Sequence, residues 1–197
     1  QFGWALLACF LFWLWSARAA ATEYVRALVV ALRGRIEDIE FAFDHETAVS
    51  ALSTTLRTGS EEDALVALQI LGDHTPAALN PMLADLASHA SKKVRQAALE
   101  RIEVHQPAGI AETLRARLEN EPDDQLRAQA LRALSAVEGP SSKDELMRHA
   151  GSSVLALREA ALLGLLRMEA PEGVLGIHEL ARSPGVDQRS AAARLLR

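Results

Sequence analysis

Val94-Arg95-Gln96-Ala97-Ala98-Leu99, Leu126-Arg127-Ala128-Gln129-Ala130-Leu131 and Leu157-Arg158-Glu159-Ala160-Ala161-Leu162 are three copies of one pattern. Each sets an apolar residue before an arginine and closes on an alanine–leucine pair. Gln188-Arg189-Ser190-Ala191-Ala192-Ala193 is a weaker copy, and Asp63-Ala64-Leu65-Val66-Ala67-Leu68 is a degenerate earlier one. The four arginines stand 32, 31 and 31 residues apart. Prolines keep a similar beat, with Pro76, Pro107, Pro140 and Pro171 separated by 31, 33 and 31 residues. Two independent markers in nearly the same period predict an all-α solenoid of helical hairpins with a period of about 31 residues.

The physics of one unit can be read from its residues. Pro76 and Pro107 suit a first helical position, where the missing N–H costs nothing. The first helices are then expected at 77–87, 109–118, 142–149 and 173–181, with Ser142 and Glu145 at capping-box spacing. Polar turns follow at 88–91, 120–124, 151–153 and 183–185, and the second helix carries the arginine pattern. Its alanines let neighbouring helices approach closely, while its leucines supply buried area at about 25 cal/mol per Å². A single unit cannot bury its apolar face alone, so stacking must provide the core.

From residue 46 to 197 this pattern resembles HEAT repeats, in the short variant of about 30 residues that HEAT-like proteins such as the phycobilin lyases carry. The resemblance implies stacked helical hairpins and an extended binding surface. The last copy stops at Leu195-Leu196-Arg197 with apolar groups facing outward, which predicts a stack that continues past residue 197.

The amino-terminal end is chemically different. Six of the nine aromatic residues (Phe2, Trp4, Phe10, Phe12, Trp13 and Trp15) lie in the first sixteen positions, and none follows Phe43. Residues 1–17 carry no charge, and Trp4 to Trp15 is apolar on every helical face, which suits hydrocarbon rather than a half-exposed surface. As a helix these seventeen residues reach about 25 Å, slightly short of a bilayer core of about 30 Å. The chain begins inside this run without a methionine, so residues 1–21 read as the C-terminal part of a transmembrane helix. A signal peptide cleaved near Ala17-Arg18-Ala19 is an alternative, although no basic n-region precedes the apolar run. A buried helix of a soluble domain is another.

Beyond the run, Arg18, Arg26, Arg33 and Arg35 oppose only Glu23, which places this end on the cytoplasmic side if the run spans a membrane. Residues 22–44 read as a basic helical collar. Tyr24, Val25, Leu28, Val29 and Leu32 form its stripe, Gly34 breaks it, and Ile36, Ile39 and Phe43 continue on a short helix. Residues 45–197 hold the repeats, four to five units.

Charge and composition narrow the functional classes. The chain of 197 residues has a net charge of −5, and residues 36–197 carry 17 basic against 25 acidic side chains with no Trp or Tyr. That combination disfavours nucleic acid, including the DNA glycosylase chemistry of some HEAT-like proteins. The lone Cys9 removes a disulfide framework, and the six histidines lack ligand spacing, so no metal and no cofactor is expected. No phosphate-binding glycine loop, nucleophile elbow or Cys/His dyad is present, so no catalytic residue is assigned. His74 and His105 occupy equivalent positions two residues before a repeat proline and read as structural. Arg95, Arg127, Arg158 and Arg189 are expected to bond turn carbonyls and carboxylates, with Asp123, Asp124 and Asp187 as partners. Their functional alternative is a basic ladder for an anion, extended by Lys92 and Lys93.

An apolar span, a basic collar containing Glu23-Tyr24-Val25-Arg26-Ala27-Leu28 and a HEAT-like array, in that order, resemble a junction in bacterial major-facilitator proteins related to nucleotide transporters. The resemblance implies a non-enzymatic cytoplasmic scaffold or regulatory arm of an integral membrane protein, binding a protein partner through the repeats. Two other readings stay open: a lyase of the phycobilin-lyase type, and a secreted or periplasmic adaptor with a cleaved signal peptide.

Overall fold

Serine or aspartate stands before three of the repeated segments, where a short side-chain oxygen can take up an orphan N–H of a first helical turn. The computed structural model describes residues 45–196, and there Ser60 accepts from the Asp63 N–H, Ser91 from Val94, and Asp123 from Gln125 and Leu126. All regular structure among the described residues is helical. The expected transmembrane segment 1–21 and collar 22–44, with Arg18, Arg26, Arg33, Arg35 and Gly34, lie outside them. No helix among the described residues is long and apolar enough to cross a membrane.

The chain runs through α1 (His45–Thr58), α2 (Glu61–His74), the short α3 (Pro76–Leu79), a 3-10 turn (Asn80–Met82) and α4 (Leu83–Leu86). It continues with α5 (Lys92–His105), α6 (Ala111–Asn120), α7 (Asp124–Glu138), a second 3-10 turn (Gly139–Ser142) and α8 (Lys143–Ala150). The last helices are α9 (Leu155–Arg167), α10 (Pro171–Arg182) and α11 (Val186–Leu195). Helices α2, α5, α7, α9 and α11 begin at residues 61, 92, 124, 155 and 186, so the sequence period reappears as a helix period. Each of the first four packs on the next of the series, while α6, α8 and α10 pack beside α7, α9 and α11 respectively.

Two of the expected first helices differ from the sequence reading. The first, expected unbroken over 77–87, is split into α3, a 3-10 turn and α4, because Pro81 has no N–H to continue the ladder. In the third, Ser142 makes no cap. It ends the 3-10 turn, and its Oγ donates to the Gly139 carbonyl at 2.8 Å, so the spacing to Glu145 goes unused. Pro76 and Pro171 do open helices, whereas Pro107 precedes α6 by four residues.

The buried side chains form two clusters that meet in α7. Leu126, Ala130, Ala133 and Leu134 of α7 belong to the cluster that reaches back through α5 and α2. Ala128 and Leu131 belong to the cluster that extends through α9 and α10. A fully buried leucine is worth about 1.5–3 kcal/mol relative to exposure, and twelve of the largest buried side chains are leucine or isoleucine. Gly164 of α9 shows how close the helices come. A β-carbon there would lie 2.8 Å from both δ-carbons of Leu146 and 3.2 Å from Ser135 Cβ.

Candidate functional site

The four repeat arginines sit near the start of α5, α7, α9 and α11, one turn in, where a long side chain can reach back to the preceding turn. Arg95 gives one guanidinium nitrogen to the carbonyls of His89 and Ala90, at 3.0 and 2.9 Å. Its other two nitrogens take Glu121 in a bidentate pair, both at 2.9 Å. Arg189 repeats the carbonyl half of this geometry on Ser183 and Pro184, at 3.0 and 2.6 Å. Arg127 bonds the Leu118 carbonyl and Asp124, and Arg158 holds Glu179 at 3.0 Å while its Nε is buried without a partner. These guanidinium groups tie turns and neighbouring hairpins together; three of the four already hold a carboxylate.

Of the carboxylates expected beside them, only Asp124 is so placed. Asp123 pairs with Lys92, and Asp187 holds none of the four among the described residues. Lys93 bonds Glu61 of α2 at 2.8 Å, and the Ser91 hydroxyl donates to the same carboxylate at 2.6 Å. The bond from Lys93, joined by that hydroxyl, holds the Glu61 carboxyl below its usual range. Lys92, helped by the Leu126 N–H, does the same to Asp123. Lys92 and Lys93 are thus committed to carboxylates of adjacent hairpins and do not extend an arginine patch.

Among the histidines, His89 accepts through Nδ1 from the Ser91 N–H at 3.0 Å, and His105 buries an Nε2 that lacks a partner. His149 lies one turn after Glu145, 3.2 Å from its carboxylate, an i, i+4 pairing that the sequence spacing contains. Arg148 shares that carboxylate at 2.6 Å.

A concave feature that gathers side chains from three successive second helices lies at their C-terminal ends. It encloses about 650 Å³ between α5, α7 and α9. Glu100, Glu103, Val104 and Gln106 line one side, Ser135, Ala136, Gly139 and Pro140 the floor, and Gly164, Arg167 and Met168 the other side. Val104 is 70% exposed, the wrong side of α5 for the core. Gln106, Gly139 and Met168 are the C-caps of α5, α7 and α9, so three helix C-termini, each the negative end of its helix dipole, border the groove. Gln106 and Gly139 both have positive φ, 48° and 53°, which turns the chain sharply out of each helix.

An ion pair crosses this groove. Arg167, the last residue of α9, reaches Glu103 of α5 at 3.1 Å, passing over the intervening α7. Arg132 of α7 approaches the other oxygen of the same carboxylate at 3.5 Å. Sequence reasoning missed Glu103, Arg132 and Arg167, since they fall outside the repeated six-residue pattern. The one available signal was Val104, a large apolar residue between two polar ones near the end of its helix.

No family model matches the chain, and no curated protein or solved structure matches it.

Proposed function

We infer that the chain is a HEAT-like helical solenoid that serves as a non-enzymatic, cytoplasmic scaffold or regulatory arm of an integral membrane, transporter-like protein and binds a protein partner. The observation that carries the binding role is the groove at the ends of α5, α7 and α9, with Val104 exposed at its side. Monomeric surfaces leave single apolar residues exposed without consequence, but a concave site with an apolar lining and a few convergent charges is where a stack of repeats offers a ligand its largest contact. The solenoid reading is supported by the even start positions of five stacked helices. The membrane arm is supported by the uncharged, aromatic-rich residues 1–17 and the arginines that follow them.

Alkaline carbonate extraction of cells expressing the full reading frame, followed by gel filtration of the protein released in mild detergent, tests both halves. The chain is expected to stay in the membrane pellet and to elute with a partner, and Val104→Arg is expected to dissociate that complex. Release into the carbonate supernatant contradicts the membrane arm, and a complex indifferent to Val104→Arg contradicts the groove.

A further inference from the structure

We infer that the outer face of α11 docks an acidic helix of a partner protein, which sets a small residue against Leu196 and a carboxylate against Arg189. This surface is separate from the α5–α7–α9 groove and stands or falls without it. Leu196 is the counterpart of Ile102, Leu134 and Leu165, at the same spacing of 32, 31 and 31 residues as the repeat arginines. Those three are 0% exposed, whereas Leu196 is 71% exposed. Ala193, the counterpart of the buried Leu99, Leu131 and Leu162, is exposed as well. A stack that ends in water closes on a polar face. This face instead presents leucine, alanine and the exposed Val186.

The preceding hairpin shows what such a face accepts. Leu165, Leu162 and Arg158 of α9 are met in turn by Gly173, Gly176 and Glu179 of α10. A β-carbon on Gly173 would press on Leu165 and one on Gly176 on Leu162, while Glu179 takes Arg158 at 3.0 Å. Arg95 likewise reaches forward, to Glu121 in the turn before α7. Arg127 instead takes Asp124, three residues earlier on its own helix. Arg189 has neither: among the described residues it bonds only the Ser183 and Pro184 carbonyls, and Val186 stands where Arg127 has Asp124. The matching occupant is a helix with a small residue at one end of a three-position row and a carboxylate at the other. Ala193 is smaller than its counterpart Leu162, so the middle position takes a larger apolar side chain than glycine. A second copy of this face brings no carboxylate among Val186, Arg189, Ala193 and Leu196, and so leaves Arg189 unanswered.

Fluorescence anisotropy with the full chain in non-ionic detergent would use a labelled peptide of residues 170–184 carrying Gly176→Leu. An isolated helix of this length is marginal in water, so it is stapled through positions 174 and 178, on the side away from the row. The peptide is expected to bind, Leu196→Asp to abolish binding, and Arg189→Glu to weaken it at least about fivefold. A Glu179→Arg version of the peptide is expected to prefer the Arg189→Glu protein over the unsubstituted one. Val104→Arg, in the groove, is expected to leave affinity unchanged. No binding, binding indifferent to Leu196→Asp or Arg189→Glu, or loss with Val104→Arg would each overturn the inference. Self-association of the chain that Leu196→Asp abolishes would overturn it in favour of a second copy. A photo-crosslink from position 196 that stays within one polypeptide, in cells expressing the full reading frame, would overturn it in favour of a segment of the same protein.

Discussion

Glu121 and Arg95 meet between two hairpins with the carboxylate side chain 2% and the guanidinium side chain 13% exposed. Removing the carboxylate leaves a largely buried cation with only the His89 and Ala90 carbonyls. Glu121→Ala should therefore cost about 3 kcal/mol, measured by urea unfolding. Arg148→Ala breaks a pair whose cation is 69% exposed and should cost less than about 1 kcal/mol in the same assay. A second residue-scale prediction concerns Gln106, which holds φ 48° and ψ 53° at the end of α5. Gln106→Gly should raise stability by about 0.5–1 kcal/mol, because glycine adopts this conformation without a Cβ clash. At this scale the sequence marked Arg95 through its recurrence. It did not mark Glu121, because the turn buries the residue before Pro122 and leaves Asp123 to cap α7. Which carboxylate a turn points inward depends on its backbone path, and a periodic pattern carries no information on that.

Helix α7 is the element on which the packing converges, with Leu131 in one buried cluster and Leu134 in the other. Amide hydrogen exchange should be slowest in α7 and much faster in α11, where only Ala191 and Ala192 are buried. Uniform protection along the stack would contradict a core centred on α7. The contact of α8 with α9 makes a separate prediction. Gly164→Ala forces a methyl against the fully buried Leu146 and should cost about 1–3 kcal/mol by thermal or urea unfolding. The second helices were legible in the sequence because leucine, alanine and arginine recur together where burial and stacking demand them. The first helices were less so. Their apolar positions are few, and Pro81 and the Gly139–Ser142 turn change the local geometry without disturbing the repeat length.

For the whole molecule, adjacent hairpins are tied by half-buried carboxylates whose pKa values folding lowers. The Lys93 bond, then the Ser91 hydroxyl, lowers Glu61; Lys92 lowers Asp123; and Glu172 is lowered by its own N–H and then by Lys143. A lowered carboxylate contributes stability that is complete above its unfolded value and disappears as pH falls through the folded value. Urea midpoints should therefore hold steady from neutral pH to about pH 5 and fall below about pH 4. Lys93 is raised by Glu61, so its contribution is complete below the ordinary lysine value and is lost only as strongly alkaline pH passes the raised one. The groove was not legible at this scale. Its lining comes from residues 100 to 168 on three helices, brought together by stacking and by the turns at Gln106 and Gly139.

The claim that joins these scales is that the ends of α5, α7 and α9 form the partner-binding surface of a membrane-tethered repeat stack. A photo-crosslinking residue placed at position 104 in the full-length protein, illuminated in intact cells, tests this most directly when compared with the same residue at position 116 on the outer side of α6. A discrete protein adduct from position 104 that is absent from position 116 is the predicted result. No adduct at 104, or an equal one at both positions, would contradict it.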